Sequence, residues 1–515
     1  MDCEAPSTSA RSNFESLYKN NGRTSCELRK RREDETIRIR KEKREETQNK
    51  RRHIVLESDD EMGDDEIELE TGVYEPEVFD PNLIDDLSSY STPNSEDRVH
   101  RALVFYRQLL KAKECAVNEI LSLSLTAIFV EIISSIESPQ IIYEAVHILS
   151  EIACLANGKD VIASSPRVLN QLIALLVSND KKLQEVAASA ISNIACDCSE
   201  YCIDQGLVES ISMLYQRNDS SDEFRASLVW IARNLCKKQL DPVAFDRLMH
   251  LYPLLVEELC RDSNSKKVVA DAAMALALLG DQTDDRISRV ATEHRRMLPR
   301  MLQLMQLDQP NFCRQAAVRY VANLASGDDE RTALVASCAL GPLRDILADC
   351  VEARVRRDAC FAVSNIAASG KDRIESLIKE GIFLPIIYIL ESGSFDLRKE
   401  AAWVIFNATQ CGSLKHIAYL CKLNVHVPLV DLLTTVDWKV VYICLRSIRR
   451  IIDMGENDRQ QRNLNANRVK LKLEEEGFKD RVEYLQNSEN AEVSREASNI
   501  WSIYFEDDDD EDMNP

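Results

Sequence analysis

The hydrophobic positions of this chain follow helical spacing over most of its length, and one helix-patterned segment recurs from about residue 96 onward. Its clearest copies are EAVHILSEIACLA, EVAASAISNIACDC, RASLVWIARNLCKK, ADAAMALALLGD, RQAAVRYVANLASGD, RRDACFAVSNIAASG and RKEAAWVIFNATQCG. In each copy small and aliphatic residues recur three or four positions apart, as on the buried face of a helix. The pattern predicts an all-α protein made of repeats.

The repeat length can be read from one position, which is Asn in most copies and which we call the asparagine slot. Successive slots lie 42, 41, 44, 45, 42 and 42 residues apart. The slots hold Glu151, Asn193, Asn234, Leu278, Asn323, Asn365 and Asn407. This period is typical of HEAT or armadillo solenoids, in which stacking supplies the core that one unit lacks and leaves a long concave groove. Apolar segments that follow a glycine, such as KEGIFLPIIYILES, indicate three helices in each repeat.

An aromatic residue or an arginine lies four residues before the asparagine in the best-formed copies, so both side chains share one helix face. These pairs are Trp230 with Asn234, Arg319 with Asn323, Phe361 with Asn365 and Trp403 with Asn407. A surface row of asparagines could hydrogen-bond an extended chain, while the aromatic slots hold the stems of Lys or Arg. Alternatively, the asparagines tie neighbouring segments together and the aromatics belong to the core. The register, which several copies keep, favours binding.

The two ends of the chain differ in charge from the repeats. The protein has 515 residues and a formal net charge of -22, yet residues 29–52 contain twelve Lys/Arg against six Asp/Glu. Residues 54–80 contain no Lys or Arg. We expect a disordered N-terminus at 1–26, a basic helix at 27–53 that folds only against a partner, an acidic linker at 54–95, and an acidic tail at 506–515. The negative balance argues against direct nucleic-acid binding.

The sequence offers no chemistry of catalysis and no cofactor site. It contains no nucleotide-binding loop, no metal-ligand set and no placed nucleophile–base pair. The sixteen cysteines lie mostly in apolar helical patterns, which indicates free thiols in a reducing compartment. Cys196, Cys198 and Cys202 lack the further ligand that structural zinc needs. The most apolar stretch, residues 116–133, is too short to span a bilayer, and we expect one buried helix there.

The repeats resemble those of the importin-α family of nuclear-import adaptors, whose inner helices carry Trp and Asn at this spacing. The basic front segment resembles the importin-β-binding domain of that family, and Lys50-Arg51-Arg52-His53 resembles its signal-like end. The stretch LEEEGFKDRVEYLQNSENAEVSREASNIWSIYFEDDDDED resembles the last repeat and the acidic tail. The resemblance implies a right-handed armadillo-repeat α-solenoid of about ten repeats at 96–505, with a flexible basic N-terminal importin-β-binding segment.

The resemblance also implies roles for the basic segment. Importin-β binds it for transit, and otherwise it folds back into the adaptor's own groove. The implied importin-β-binding residues are Arg29, Lys30, Arg31, Arg32, Arg38, Arg40, Lys41, Lys43 and Arg44. The implied autoinhibitory residues are Lys50, Arg51 and Arg52.

Two binding sites for nuclear localisation signals follow from the same resemblance, one on the second to fourth repeats and one on the sixth to eighth. The main site keeps only Asn193, Asp197, Trp230, Asn234 and Asp281, because His147, Glu151, Ser189, Met274 and Leu278 replace expected Trp, Asn or Tyr residues. The secondary site keeps Arg319, Asn323, Asp329, Asp358, Phe361, Ser364, Asn365, Glu400, Trp403 and Asn407. We expect cargo binding to depend more on the secondary site than in typical family members.

The function that this resemblance implies is a non-enzymatic nuclear import adaptor. Its partners would be importin-β, proteins with basic nuclear localisation signals, and an export receptor with Ran-GTP that contacts residues from about 470 onward. We expect no cofactor, no metal, no membrane span, a monomer, and shuttling between cytoplasm and nucleus. The alternative is an armadillo scaffold whose degraded main groove serves partners outside import.

Overall fold

The structure, a computed structural model, describes residues 82–112, 116–156, 158–217, 221–238, 240–280, 289–291, 294–326 and 329–506, except the side chains at 82, 164, 294 and 329. The predicted disordered N-terminus and the basic segment 27–53 lie outside this range, as do most of the predicted linker and the tail from 507. Every regular element within the described ranges is helical. Two compact units divide between Arg300 and Met301, and we call them the N-terminal and C-terminal units.

The helices of the N-terminal unit begin at Asn82. They are α1 (Asn82–Ser88), α2 (Glu96–Ala112), α3 (Ala116–Ser122), α4 (Leu125–Ser135), α5 (Pro139–Leu155), α6 (Gly158–Ser164), α7 (Val168–Leu176), α8 (Lys181–Asp197), α9 (Ser199–Asp204), α10 (Leu207–Tyr215), α11 (Asp222–Leu235), α12 (Pro242–Leu248), α13 (Tyr252–Cys260) and α14 (Lys266–Leu279). Short 3₁₀ turns follow α1 and α12, at Ser89–Ser91 and Met249–Leu251. The divide between the units falls within α15 (His294–Leu304).

The helices of the C-terminal unit continue the same rhythm. They are α16 (Asn311–Ala325), α17 (Asp329–Cys338), α18 (Leu340–Asp349), α19 (Ala353–Ala368), α20 (Lys371–Glu380), α21 (Phe383–Ser392), α22 (Phe395–Cys411), α23 (Leu414–Lys422), α24 (His426–Leu432), α25 (Trp438–Arg462), α26 (Arg468–Glu475), α27 (Phe478–Leu485) and α28 (Ala491–Tyr504). The helices α20, α21 and α22 form one complete repeat, with a long third helix. The predicted all-α armadillo-repeat architecture is confirmed.

The long helix of each repeat carries the asparagine slot, and we call these helices the ladder helices. In the N-terminal unit α5 packs on α8, α8 on α11, and α11 on α14. In the C-terminal unit α16 packs on α19, α19 on α22, and α22 on α25. Every residue of α14 from Val268 to Leu279 is buried, as expected of a helix with apolar residues on all sides. Burial of each Leu or Ile side chain contributes about 1.5–3 kcal/mol.

Polar residues at the helix starts fix where the ladder helices begin. Asp180 caps α8, because its carboxylate accepts hydrogen bonds from the backbone N–H groups of Lys182 and Leu183. The Ser221 hydroxyl caps α11 and the Ser265 hydroxyl caps α14 in the same way. Each such cap stabilises its helix by about 0.5–2 kcal/mol, because it satisfies an amide that has no partner within the helix.

Two expectations about the beginning of the fold are corrected. The predicted linker 54–95 contains the helix α1, whose Leu87 is fully buried, because apolar residues one helical turn apart give this short stretch a face to bury. The stretch 116–133, predicted as one buried helix, forms α3 and α4. The break lies at Ser124, which adopts a left-handed φ of 55°, and the two helices meet at a bend of 75°.

No single helix among the described residues is long and apolar enough to cross a membrane. The bent pair α3 and α4 meets the length and composition criteria only when its two helices are taken together.

Candidate functional site

The ladder asparagines connect neighbouring repeats through their amide nitrogens. In each described case, Nδ2 donates a hydrogen bond to a backbone carbonyl on the preceding ladder helix, one residue before that helix's own slot. The bonds run from Asn193 to Ser150 (3.2 Å), Asn234 to Ser192 (3.0 Å), Asn365 to Ala322 (3.3 Å) and Asn407 to Ser364 (2.9 Å). In the sequence analysis, the alternative to peptide binding was that the asparagines join neighbouring segments. These four side chains do join neighbouring repeats in the fold.

Burial follows from this role. Asn193 and Asn234 are each 1% exposed, and Asn407 is 5% exposed, so they do not form the surface row that the repeat pattern suggested. The Oδ1 atoms of Asn193 and Asn234 are buried and accept no hydrogen bond from any described residue. An unpaired buried acceptor costs about 1–3 kcal/mol. A ligand N–H that reached either oxygen after a small side-chain rotation would recover that free energy.

The aromatic slot of the second repeat holds His147 on α5. Burial lowers the pKa of His147 to about 4, and the positive charges of Arg107 and Lys111 act in the same direction. The imidazole is therefore neutral at pH 7. It packs edge-on against Tyr143, with 5.9 Å between ring centroids, and its Nδ1 lies 3.9 Å from the Glu151 carboxylate. This slot presents a small buried ring rather than an open indole face.

Two acidic groups on the ladder helices of the N-terminal unit already pair with arginines of this chain. Arg107 pairs with Glu144 at 2.6 Å, from α2 to α5. Arg233 of α11 pairs with Asp271 of α14 at 2.5 Å. An incoming Lys or Arg would have to compete with these internal cations for the same carboxylates.

Asp197, which the resemblance assigns to a key lysine of the cargo, takes part in the fold. Its Oδ2 accepts the backbone N–H of Gly158 at 2.8 Å. A Cβ at Gly158 would lie 2.7 Å from the backbone of Ile194, so only glycine allows this close approach of α6 to α8. Asp281, the remaining acid of the predicted main site, lies outside the described residues.

The sequence patterns did not single out Arg233, which shares a helix face with Trp230, three residues earlier. The signal was present in the residue that precedes each asparagine slot. That position holds Ser150, Ser192, Arg233, Ala277, Ala322, Ser364 and Phe406. A small residue is the rule there, and Arg233 is the charged exception.

The predicted secondary site lies within the C-terminal unit. Five of its residues are buried: Arg319, Asp358, Phe361, Ser364 and Glu400. In this unit Asn407 also donates to the Ser364 hydroxyl oxygen at 2.8 Å. Trp403 is half-buried and packs edge-on against Phe406 at 5.5 Å, which leaves part of its indole ring accessible. Asp329 begins α17, and its side chain lies outside the described set.

The predicted importin-β-binding and autoinhibitory residues lie outside the described residues. They are Arg29, Lys30, Arg31, Arg32, Arg38, Arg40, Lys41, Lys43, Arg44, Lys50, Arg51 and Arg52.

Comparison with known domain families gives two matches, in the order that the sequence predicted. Residues 15–95 match the importin beta binding domain, and residues 158–196 match the armadillo/beta-catenin-like repeat. The first match spans the basic segment and the acidic stretch after it. The second spans α6, α7 and α8, which are the three helices of one repeat.

Comparison with whole proteins extends the similarity over nearly the full chain. Importin subunit alpha-1a of Oryza sativa subsp. japonica is 29% identical over 493 residues, which cover 95% of this chain and 91% of the relative. Importin subunit alpha-4 of Arabidopsis thaliana is 28% identical over 509 residues, with 96% and 92% covered. Importin subunit alpha-1 of Caenorhabditis elegans is 32% identical over 155 residues, with 30% and 29% covered.

Among solved structures, the crystal structure of an engineered protein superimposes with a TM-score of 0.68 at 21% identity, covering 82% of this chain and 98% of that protein. That likeness shows the fold alone. The order of the two domain matches and the similarity to importin-α subunits along almost the whole length together show that the chain belongs to the importin-α family.

Proposed function

We propose that this protein is a nuclear import adaptor that binds basic nuclear localisation signals on its ladder helices and carries the cargo to importin-β. Members of the importin-α family are adaptors rather than enzymes, and an importin-β-binding domain implies a role in nuclear import. The observation that carries the proposal is the match of residues 15–95 to that domain, directly ahead of the armadillo repeats.

A basic extended peptide fits the chemistry of the ladder helices. The protein has a formal net charge of -22, which attracts cationic segments over a range set by ionic strength. The accessible part of Trp403 offers an aromatic face to the stem of a Lys or Arg. The unpaired Oδ1 atoms of Asn193 and Asn234 offer acceptors to peptide N–H groups.

The internal ion pairs of the N-terminal unit support an unequal division of cargo binding. Asp271 and Glu144 there already bind arginines of this chain, and the aromatic slots of the second and third repeats hold His147 and Ser189. We propose that the sixth to eighth repeats provide most of the affinity, through Arg319, Asn323, Asp329, Asp358, Phe361, Ser364, Asn365, Glu400, Trp403 and Asn407. Asn193, Asp197, Trp230, Asn234 and Asp281 form the weaker main site.

The basic segment completes the transport cycle in this proposal. Arg29 to Arg44 bind importin-β, whereas Lys50, Arg51 and Arg52 occupy the cargo site when importin-β is absent. An export receptor with Ran-GTP returns the adaptor, so the protein shuttles between cytoplasm and nucleus as a monomer. Leu473, Phe478 and Ile500 are fully buried, so a test of export at this end of the chain requires surface substitutions that leave the last repeat folded.

Two titrations of the full chain test the proposal. Importin-β should bind the wild-type chain and lose binding when Arg38, Arg40, Lys41 and Arg44 are all changed to Glu. A labelled basic peptide should bind the same quadruple variant about as tightly as wild type, because the four substitutions leave both the armadillo repeats and the competing Lys50, Arg51 and Arg52 unchanged. Failure of wild type to bind either importin-β or the peptide would overturn the adaptor proposal.

The Arg233–Asp271 pair specifically favours a second candidate, an armadillo scaffold whose N-terminal unit serves partners outside import. In that case the chain would bind neither importin-β nor basic peptides, although its fold would be intact. The same two titrations decide between the candidates.

A further inference from the structure

The ladder continues beyond the predicted cargo site, but its slots change chemistry. On α25, Arg446 and Arg450 lie 43 residues after Trp403 and Asn407, so they take the aromatic slot and the asparagine slot of the ninth repeat. Because α25 packs directly on α22, these arginines are the next slot side chains that a peptide leaving Trp403 and Asn407 would meet.

Contacts with α22 confirm that both arginines lie toward the preceding repeat, as the ladder asparagines do. The Arg450 Nε donates to the carbonyl oxygen of Thr409, and the Arg446 Nη2 donates to the Gln410 Oε1, each at 3.5 Å. These are long hydrogen bonds. Arg446 also donates from Nη1 to the Tyr442 hydroxyl on its own helix, at 3.1 Å. All three of these acceptors are neutral, so a free carboxylate would be a stronger partner for either guanidinium group.

Positive charge is only partly compensated on this face. Arg446, Arg449 and Arg450 stand within one turn of α25, and their side chains are 35%, 32% and 36% exposed. A single buried carboxylate, Glu496 on α28, serves both Arg446 (3.7 Å) and Arg449 (3.3 Å).

Arg450 shares its own partner as well. Its guanidinium lies 3.8 Å from Asp453, and Asp453 also accepts a hydrogen bond from the Tyr504 hydroxyl. Three guanidinium groups thus divide two carboxylates, and about one third of each arginine side chain is exposed. Guanidinium groups bind free carboxylates in a bidentate geometry that these shared contacts do not satisfy.

We propose that Arg446 and Arg450 bind acidic residues that flank the basic cluster of a cargo signal. The proposal rests on the proposed adaptor function and names which cargo the C-terminal unit prefers. Ladder helices pack about 8–10 Å apart and an extended chain advances about 3.3 Å per residue. If a basic residue of the peptide lies at Trp403 and Asn407, an acidic residue about three positions further along the peptide would therefore reach Arg446 and Arg450.

The chain's own acidic tail is a less suitable occupant. The tail follows Phe505, whose buried ring lies against Lys470 and Lys479, with Nζ-to-centroid distances of 5.0 and 6.0 Å. The cations beside its point of departure are therefore these two lysines and Arg449, which faces the Tyr504 hydroxyl, and none of the three is a slot residue. Cargo, in contrast, would approach Arg446 and Arg450 directly along the slots.

The test compares three labelled peptides that share one basic cluster and differ in their flanks, which are neutral, glutamate-rich before the cluster, or glutamate-rich after it. Each is titrated at one salt concentration against the full chain and two variants. Arg446→Glu with Arg450→Glu reverses the proposed contacts. The control, Arg459→Glu with Arg462→Glu, makes the same change in net charge on the opposite face of α25.

One acidic-flanked peptide should bind wild type about 3- to 10-fold more tightly than the neutral peptide. This gain should disappear in the Arg446/Arg450 variant and remain in the control. Arg446→Gln with Arg450→Gln should also lose it, with a melting temperature close to that of wild type. A gain that appears only when residues 507–515 are removed would support the acidic ligand chemistry and identify the tail as a competitor.

Two results would overturn the inference alone: the neutral peptide binds but neither acidic flank improves affinity, or the gain is lost equally in the control variant. If no peptide binds at all, the adaptor proposal fails and the inference falls with it.

Discussion

Asn407 donates its amide nitrogen to both oxygens of Ser364, at 2.9 Å to the backbone carbonyl and 2.8 Å to the hydroxyl. The residue that we propose to hold cargo therefore also joins the eighth repeat to the seventh. Asn193 makes the same pair of contacts to Ser150, at 3.2 and 3.3 Å. Substitutions at the asparagine slots will consequently change stability as well as affinity, and the two effects have to be measured separately.

The first prediction concerns stability. Asn407→Ala should destabilise the C-terminal unit by about 1–3 kcal/mol, because the buried Ser364 hydroxyl and carbonyl both lose the amide donor that joins the two repeats. Ser364→Ala removes only the hydroxyl acceptor and should cost about 0.5–1.5 kcal/mol. Urea unfolding followed by circular dichroism measures both. An Asn407→Ala protein as stable as wild type would show that the ladder bond does not hold the repeats together.

The repeat architecture could be predicted from the sequence because seven copies recur at nearly the same spacing. A copy that lacks the asparagine or the aromatic residue is still recognised by its position between the others. The burial of Asn193 and Asn234 was not readable, because their partners Ser150 and Ser192 lie more than 40 residues earlier and meet them only when repeats stack. Helical spacing shows which residues lie on the same face of a helix. It does not show which residues of the neighbouring repeat pack against that face.

Two further features were missed by the sequence patterns for a similar reason: the break between α3 and α4, and the ion pair of Arg233. The break between α3 and α4 depends on a left-handed Ser124, a conformation that the apolar run around it does not reveal. Arg233 was overlooked because its partner Asp271 is 38 residues away on the next ladder helix. The sequence therefore predicted which residues occupy the slots. It did not predict the partners on neighbouring helices that bury or pair these residues.

A second prediction follows from His147. Its pKa in the folded protein is about 4, against 6.5 when unfolded, so above pH 6.5 both states are neutral and the shift has no effect. As the pH falls from 6.5 to 4, the unfolded state takes up the proton first, and stability decreases by up to about 3 kcal/mol. His147→Phe, which keeps a ring against Tyr143, should remove this part of the acid sensitivity.

The measurement is urea unfolding of both proteins at pH 7, 6, 5 and 4. The difference between wild type and His147→Phe should change most between pH 6.5 and 4. A difference independent of pH would mean that His147 takes up a proton as easily in the fold as in the unfolded chain.

A third prediction concerns the internal cation of the main site. Arg233→Ser frees Asp271 for an incoming basic residue and restores the small side chain found before most other slots. We expect about 3- to 10-fold tighter binding of a basic peptide to the N-terminal unit, measured in a Trp403→Ala background that weakens the other site. Stability should fall by about 1–3 kcal/mol, because the buried Asp271 carboxylate loses its ion pair with Arg233.

Arg225→Ser is the matched control for that experiment. Arg225 lies on the same helix and pairs with the exposed Asp222, so its loss should change peptide affinity and stability only slightly. Equal gains in affinity from Arg233→Ser and Arg225→Ser, or a loss in the first, would contradict the view that Arg233 blocks the site.

The last prediction ranks the two cargo sites. Trp403→Ala should weaken binding of a basic peptide more than Trp230→Ala does, because the slot before Trp403 keeps an aromatic ring, the buried Phe361 that backs this part of the groove. Trp230 has Ser189 and Met274 in the slots before and after it. Loss of one cation–aromatic contact lowers affinity by roughly 3- to 30-fold. Tryptophan substitutions are preferred to asparagine ones, since the asparagines donate the ladder bonds between repeats. Both variants are titrated at the same salt concentration, because charge-driven binding is screened. A larger loss from Trp230→Ala would mean that the main site still dominates despite His147, Ser189 and the Arg233–Asp271 pair.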